Sequence, residues 1–252
     1  MSATVGLVIP ALRPDLDALA RYIDRLDEEV NPTTIRVEID EPTVDREQLE
    51  QTLHAEVGTS TNRRGKGLAI TAGFEVLETD ILSFVDADGS TKASSVAPLV
   101  DGVAEGDANV MVGSRHHPDA AITRQPSLLR RLMSRSFIHL ARTTTGIDIT
   151  DFQCGAKAID HQCWTAIRDE LYEPGFAWDL EVLWLADRHG CKIRERPIEW
   201  EDRPDSTVPP FGTAIELGTL LTKLAAGRHP ATSDTEPRPG SLIDRLDTFF
   251  SE

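Results

Sequence analysis

The stretch Ile81-Leu-Ser-Phe-Val-Asp86-Ala-Asp88-Gly-Ser90 decides how the rest of the chain is read. Five mostly apolar residues run straight into two aspartates that bracket one alanine. A continuous apolar run of that length, closed by Asp-Gly, predicts a buried parallel strand ending in a turn. In open α/β sheets, ligands gather at the carboxyl ends of strands, where Asp86 and Asp88 would then lie. Two hard oxygen donors there suit Mg2+ or Mn2+ held together with a ligand's phosphates. Asp-Gly is also an ordinary turn pair, so the tripeptide alone reads first as a surface turn. Its place after a buried strand favours the ligand site.

Working outward, Thr4 to Pro10 is a first buried strand, and Pro14 and Asp15 open a helix. That helix carries apolar residues at Leu16, Leu19, Ala20, Ile23 and Leu26, the helical period. Thr34 to Asp40 is a second strand, and an acidic helix from Asp45 through Glu56 follows. Residues 59–67 form a loop before a helix over Leu68 to Glu78. After the central strand, Ser94 and Ser95 cap a helix reaching Val103, and Asn109 to Arg115 is another strand. Pro126 starts a long apolar-faced helix; Gly155 to Ile159 is a short strand, and His161 to Leu171 a helix. Asp179 to His189 is a helix closed by Gly190. Lys192 to Trp200 is extended and broken at Pro197, hence near a sheet edge. Phe211 to Ala226 is a last long helix. The alternation of strand and helix predicts an α/β fold with a mostly parallel central sheet flanked by helices. Residues 1–228 make one domain, and 229–252 are a linker, disordered by composition, plus a short amphipathic helix at Leu242 to Phe250.

A chain of 252 residues is long enough to bury one large core. It contains 42 acidic and 26 basic residues, a net charge of −16. That balance excludes general nucleic-acid binding, which needs a basic footprint. It fits a halophilic protein kept soluble in concentrated salt, where screening relieves self-repulsion. No apolar run is long enough to span a membrane, and Met1 to Val5 lacks a signal peptide's basic region. Cys154, Cys163 and Cys191 are odd in number and lack Cys-x-x-Cys spacing, which argues for a reducing compartment, against a disulfide framework, and for the cytoplasm.

Asn62-Arg-Arg-Gly65-Lys66-Gly67 has the look of a phosphate cradle. It fails the P-loop pattern, having no Ser or Thr after Gly-Lys, and fails the dinucleotide pattern for want of a third glycine. What remains is a basic, glycine-rich turn at a helix N-terminus, able to hold an anion, or a solvated lysine. Arg115 stands past a strand end, Arg130 and Arg131 on the long helix, and Arg203 after the extended segment. An arginine fork binds two phosphate oxygens at once, though each arginine singly is commonly a surface ion pair. Asp179 and Glu181 are two apart and do not share a helix face. Cys154 has no partnered histidine and reads as a buried structural thiol. His116 and His117 lack ligand spacing and take no role.

Together these residues resemble the inverting GT-A glycosyltransferases, and within them the dolichyl-phosphate mannose or glucose synthases. The likeness runs from about residue 4 to 208. Val8-Ile-Pro10 is similar to the family's first strand, and Asp40-Glu-Pro-Thr-Val-Asp45 to its Asp-Asp-Gly-Ser-Thr-Asp turn, whose first aspartate faces the nucleotide base. Residues 62–67 resemble its Asn-x-Gly-x-Gly loop displaced by one. Asp86-Ala-Asp88 matches the metal and diphosphate motif, and Gly113-Ser-Arg115 the next strand end. Asp151-Phe-Gln-Cys-Gly155 with Phe176-Ala-Trp178-Asp-Leu-Glu181 is the most discriminating pair, closer to the polyprenyl-phosphate branch than to polysaccharide synthases. Arg13-Pro14 replaces the usual Asn-Glu, Pro42 the turn glycine, and Ser90 a glutamine. The membrane helices that many relatives carry after the catalytic domain are absent.

The resemblance implies transfer of a hexose from a nucleotide-diphosphate sugar to a polyprenyl (dolichyl) phosphate, as in protein glycosylation. It assigns Asp86 and Asp88 to Mg2+ or Mn2+, and Pro10, Asp40, Gly65, Lys66 and Asp86 to the donor. An ionised phosphate acceptor needs no strong base; it needs Arg115, Arg131 (or Arg130) and Arg203 to hold it in line. A saccharide or soluble acceptor needs a carboxylate base, for which Asp179 is the candidate. A sugar nucleotidyltransferase would want a glycine-rich loop after the first strand, which Pro10 to Pro14 is not. A non-catalytic nucleotide-sugar binder is the remaining alternative. A lipid acceptor implies peripheral contact with the cytoplasmic membrane face, for which the helices from Pro126 and Phe211 are candidates, with core packing as their alternative.

Overall fold

The structure, a computed structural model, describes residues 3–123, 128–201, 210–232 and 240–250, without the side chains of 128–133, 210–212 and 247–250. In chain order its strands are β1 (Val5–Leu12), β2 (Thr34–Asp40), β3 (Glu56–Ser60), β4 (Ile81–Val85), β5 (Val110–Ser114), β6 (Ala121–Ile122), β7 (Ala156–Asp160), β8 (Ile193–Pro197) and β9 (Glu199–Trp200). The α-helices are α1 (Leu16–Val30), α2 (Arg46–Leu53), α3 (Lys66–Glu75), α4 (Ala97–Ala104), α5 (Leu128–Thr145), α6 (His161–Ile167), α7 (Trp178–Arg188), α8 (Pro210–Ala225) and α9 (Leu242–Phe250).

Seven strands form one sheet in the order β3-β2-β1-β4-β7-β5-β8, and β6 pairs β9 in a small second ladder. Every neighbouring pair in the main sheet is parallel except those of β7, which runs antiparallel to both β4 and β5. The reversal has a consequence for chemistry: the residues entering β7 share a rim with the residues leaving β2, β4 and β5. Each residue of β4 is buried, as its continuous apolar run requires for a strand covered on both faces.

The expected alternation of strand and helix holds. Asp15 caps α1 by accepting from the N–H of Ala18 at 3.0 Å, and Leu19, Tyr22, Ile23 and Leu26 form its buried face. Each such side chain contributes about 1.5–3 kcal/mol on burial. The expected acidic helix through Glu56 stops earlier. α2 ends at Leu53 with His54 in the left-handed region, and Glu56–Ser60 adds the edge strand β3 beside β2. Pro197 does end an edge strand, β8, which pairs only β5.

Two further expectations are corrected. Cys163 and Cys191 form a disulfide across 28 residues, with Cα atoms 6.2 Å apart. Spacing gave no sign of it because the start of α6 and the turn after α7 meet only through packing. Cys154 is the buried free thiol. Residue 229, expected to open a linker, is packed instead: His229 is fully buried and hydrogen-bonded to Glu181 at 2.7 Å. Leu242 and Leu246 of α9 are buried in the same core; residues 233–239, like Pro126, lie outside the described residues.

Candidate active site

Asp86 follows β4 directly, and its N–H donates to the Gly155 carbonyl at 2.8 Å, on the approach to β7. A Cβ on Gly155 would lie 1.9 Å from Asp86 Oδ2, so only glycine lets the carboxylate lie flat there. Asp88 is exposed at the rim, and its Oδ1 accepts from the Ser90 N–H at 2.9 Å, which fixes the turn. The turn is also strapped to the extended segment after β8. Glu201 N–H donates to the Ser90 carbonyl at 2.9 Å, and Thr91 bridges Trp200.

Behind Asp86 lies a chain of alternating charges. Lys66 Nζ is 3.0 Å from Asp86 Oδ1 and 2.8 Å from Asp179 Oδ2. Lys157 Nζ takes the other oxygen of Asp179 and donates to the Cys154 carbonyl at 2.8 Å. Both ammonium groups stand over the Phe84 ring, at 5.1 and 5.4 Å from its centroid, a favourable cation–π placement. Burial pushes the Asp179 carboxyl upward, but Lys157 and Lys66 outweigh it and hold the group below the ordinary carboxylate range. Burial raises Asp86, with Asp88 and Asp179 adding to the shift and Lys66 opposing it. Lys66 is itself held above its ordinary value, since Asp179 and Asp86 overcome the pull of burial.

The glycine-rich loop serves packing before anything else. Gly65 has φ 97°, and a Cβ there would sit 2.6 Å from the Pro174 carbonyl oxygen; one on Gly67 would sit 2.5 Å from Trp178 Cβ. The close approach lets the Leu68 N–H donate to that same Pro174 carbonyl at 3.0 Å. Glu181 pins the far side of the segment by accepting from the N–H groups of Tyr172 and Glu173. Phe176 to Glu181 is thus the clamp that seats Lys66. As expected, Asp179 and Glu181 point to different partners.

Asp40 has both oxygens engaged within the chain. Oδ2 accepts from the N–H of Arg64 and Gly65 at 2.7 and 3.2 Å, and Oδ1 from Arg64 Nε at 2.7 Å. Arg64 also reaches Glu38 at 2.8 Å. Pro10, in β1 beside Glu38 of β2, is half-buried and lies on the strand next to β4, from which Asp86 emerges. Arg115 leaves β5 and grips Asp151 with Nε and Nη2 at 2.7 and 2.9 Å, its guanidinium 5.6 Å from the Trp200 ring centroid. Asp151 is buried; burial raises its carboxyl, but Arg115 prevails and brings it down to about 2. Glu195 of β8 steadies this corner by accepting from Thr150 N–H, Thr150 Oγ1 and Asp151 N–H at 2.8, 3.0 and 3.0 Å.

The structure therefore brings Asp86, Asp88, Lys66, Asp179 and Arg115 to one rim, with Gly65 behind and Asp40 at the β2 end. Arg203 and the side chains of Arg130 and Arg131 lie outside the described residues. Lys157, Arg64 and Glu195 were missed by sequence reasoning. The one available signal was a lysine inside the otherwise apolar Ala156-Lys-Ala-Ile159. Among the described residues no group of three or more His, Cys, Asp and Glu is placed to hold a metal. Two carboxylates still fit Mg2+ or Mn2+, which retain waters and take further oxygens from substrate phosphates. The Lys66 ammonium already stands as a cation on Asp86.

Residues 40–172 match the family "Glycosyl transferase family 2". Glycosyltransferase AglD of Haloferax volcanii is 31% identical over 164 residues, covering 65% of this chain and 26% of that protein. Dolichyl-phosphate beta-glucosyltransferase of Saccharomyces cerevisiae is 33% identical over 156 residues, covering 56% and 46%. This chain thus spans less than half the length of either relative. Glucosyl-3-phosphoglycerate synthase of Mycobacterium tuberculosis, solved with uridine diphosphate, superposes with a TM-score of 0.65 at 19% identity, covering 89% of this chain and 80% of that one. Its complex with Mn2+, uridine diphosphate and glucosyl-3-phosphoglycerate gives 0.62 at 19%, covering 93% and 81%. At that identity the likeness speaks for the fold, which is GT-A. With the matched segment running from the end of β2 across Asp86, Arg115 and Gly155, the chain belongs to glycosyl transferase family 2.

Proposed function

We propose that this chain moves a hexose from a nucleotide-diphosphate sugar onto a polyprenyl phosphate, with inversion at the anomeric carbon. The observation that carries the acceptor class is the state of Asp179. A sugar-hydroxyl acceptor must lose a proton to a base, and Asp179 is a poor one, because Lys66 and Lys157 occupy its two oxygens and hold its proton affinity below the ordinary carboxylate range. A phosphate oxygen needs no such help, being ionised already at neutral pH. The names of the relatives support the same acceptor, since several are dolichyl-phosphate beta-glucosyltransferases.

In this reading the acceptor oxygen attacks the anomeric carbon, the bond from that carbon to the donor diphosphate breaks, and no proton moves. Asp86 and Asp88 would hold Mg2+ or Mn2+, which supplies neutralisation of the leaving diphosphate. Arg115 presents Nη1 to the acceptor phosphate, its Nε and Nη2 being fixed on Asp151; orientation of this kind lowers the entropic part of the barrier. Arg131 and Arg203 are assigned to the same phosphate. Asp40 and Pro10 flank the base end of the donor, and Gly65 shapes the loop that carries Lys66.

A lipid acceptor places the chain against the cytoplasmic face of a membrane as a peripheral protein. Leu140 on α5 and Ile215 on α8 are 52% and 70% exposed on helices that pack together, which supports that contact. Among the described residues no helix is long and apolar enough to cross a membrane.

The test is incubation of the purified protein with labelled nucleotide sugars, Mn2+ or Mg2+, and dolichyl phosphate in detergent. Label is expected in the organic phase and absent with Asp88→Ala. Label appearing only in water-soluble product would overturn the acceptor, and undiminished transfer by Asp88→Ala would overturn the site.

A further inference from the structure

The two oxygens of Asp86 are unequally available. Oδ2 lies against the Gly155 backbone, while Oδ1 is held by Lys66 Nζ at 3.0 Å. The Lys66 side chain is only 9% exposed, and Phe84 lies beneath its ammonium. A divalent ion arriving on Asp86 alone would meet a fixed positive charge a few ångströms away, and repulsion at that range in a partly dry site is severe. Asp88, exposed and two residues further along the same turn, cannot offset it by itself. A nucleoside diphosphate arriving with the ion brings compensating negative charge. Lys66 also has somewhere to remain, because Asp179 holds it at 2.8 Å independently of Asp86. Asp179 in turn keeps Lys157 as a second counter-ion.

We infer that Lys66 is a positioning residue that gates Asp86: its ammonium keeps the divalent cation off the carboxylate until a nucleoside diphosphate binds, so cation and nucleotide enter together. The inference rests on the metal reading of Asp86 and Asp88 and deepens it, since that reading by itself gives the lysine no part in the order of binding. Linkage makes it reciprocal: nucleotide must tighten the cation by the same factor by which the cation tightens nucleotide.

The experiment titrates Mn2+, followed by the paramagnetic resonance signal of the free ion, into wild type, Lys66→Met and Lys66→Arg. Each is measured alone and with UDP or GDP, and folding is checked by thermal melting. Wild type should bind Mn2+ at least about tenfold more tightly with nucleotide than without. Lys66→Met should tighten nucleotide-free Mn2+ binding by a similar factor and shrink the nucleotide effect, whereas Lys66→Arg, which keeps the charge, should behave as wild type. Unchanged or weaker nucleotide-free binding in Lys66→Met overturns the gate. If that variant fails to fold, Lys66→Gln takes its place with the same two outcomes, and equal Mn2+ affinity of wild type with and without nucleotide also overturns the gate. Absence of Mn2+ binding by wild type under every condition removes the metal reading itself, and the gate with it. Tight ternary binding with an unaltered Lys66→Met removes the gate alone.

Discussion

Gly155 and Asp86 are in such close contact across the β4–β7 pair that a single added carbon on Gly155 would fall 1.9 Å from the aspartate's Oδ2. The glycine and the Asp86 carboxylate are one structural unit, joined also by the 2.8 Å bond from Asp86 N–H to the Gly155 carbonyl. Gly155→Ala should therefore turn Asp86 away from the rim while leaving the sheet paired. The expected outcome is loss of transfer by about a hundredfold or more, of the size seen when a charge-stabilising group is removed. Unfolding in urea should shift by only about 1–3 kcal/mol, the usual cost of overpacking. Activity close to wild type would show that the carboxylate accommodates a methyl group and that its position is not critical.

The Arg115–Asp151 pair predicts a definite pH dependence of stability. Asp151 is depressed from 3.8 to about 2 in the folded chain, so its contribution is complete above 3.8 and is lost as pH falls through about 2. That shift corresponds to roughly 2 kcal/mol. Urea unfolding of wild type and Asp151→Asn, measured between about pH 5 and pH 2, should show the wild-type advantage shrinking by that amount as pH falls. A constant difference across the window would mean the carboxylate gains nothing from Arg115.

Much of this site was legible because strand ends advertise themselves. Apolar runs closing on Asp86 and Arg115, and the alternating strand closing on Asp40, located three corners of the rim without any tertiary information. What stayed hidden depends on contacts between distant segments. Asn62 to Gly67 has the composition of a phosphate cradle, yet its glycines make room for Pro174 and Trp178, more than a hundred residues on. Nothing local in Lys157 announces that it shares Asp179 with Lys66. β3 was missed for a related reason: Glu56-Val-Gly-Thr-Ser60 pairs only β2 at the sheet edge and so needs little of the apolar pattern that reveals a central strand.

The charge surplus carries its own prediction. With a net charge of −16, self-repulsion works against the compact state in dilute buffer and is screened as the Debye length shortens. The melting temperature should rise on going from dilute buffer to molar KCl. Because screening is nonspecific, NaCl should do nearly as well. A melting temperature independent of salt would remove the halophilic reading and leave the acidity as a matter of solubility alone.

Asp179 offers the sharpest energetic test, because it is 1% exposed and depends on lysines for neutralisation. Lys157→Met leaves the carboxylate with Lys66 alone and removes the bond to the Cys154 carbonyl. Breaking one side of a buried ion pair costs about 3–5 kcal/mol, since the surviving charge stays buried without its partner. Asp179→Asn should also destabilise, by leaving two lysines facing a neutral amide. The double variant should lose clearly less than the sum of the two, a coupling of about 1–3 kcal/mol in the double-mutant cycle by urea denaturation. Additivity would mean that Lys157 and Asp179 are near each other without depending on each other, and Asp179 would again be available as a base for a hydroxyl acceptor.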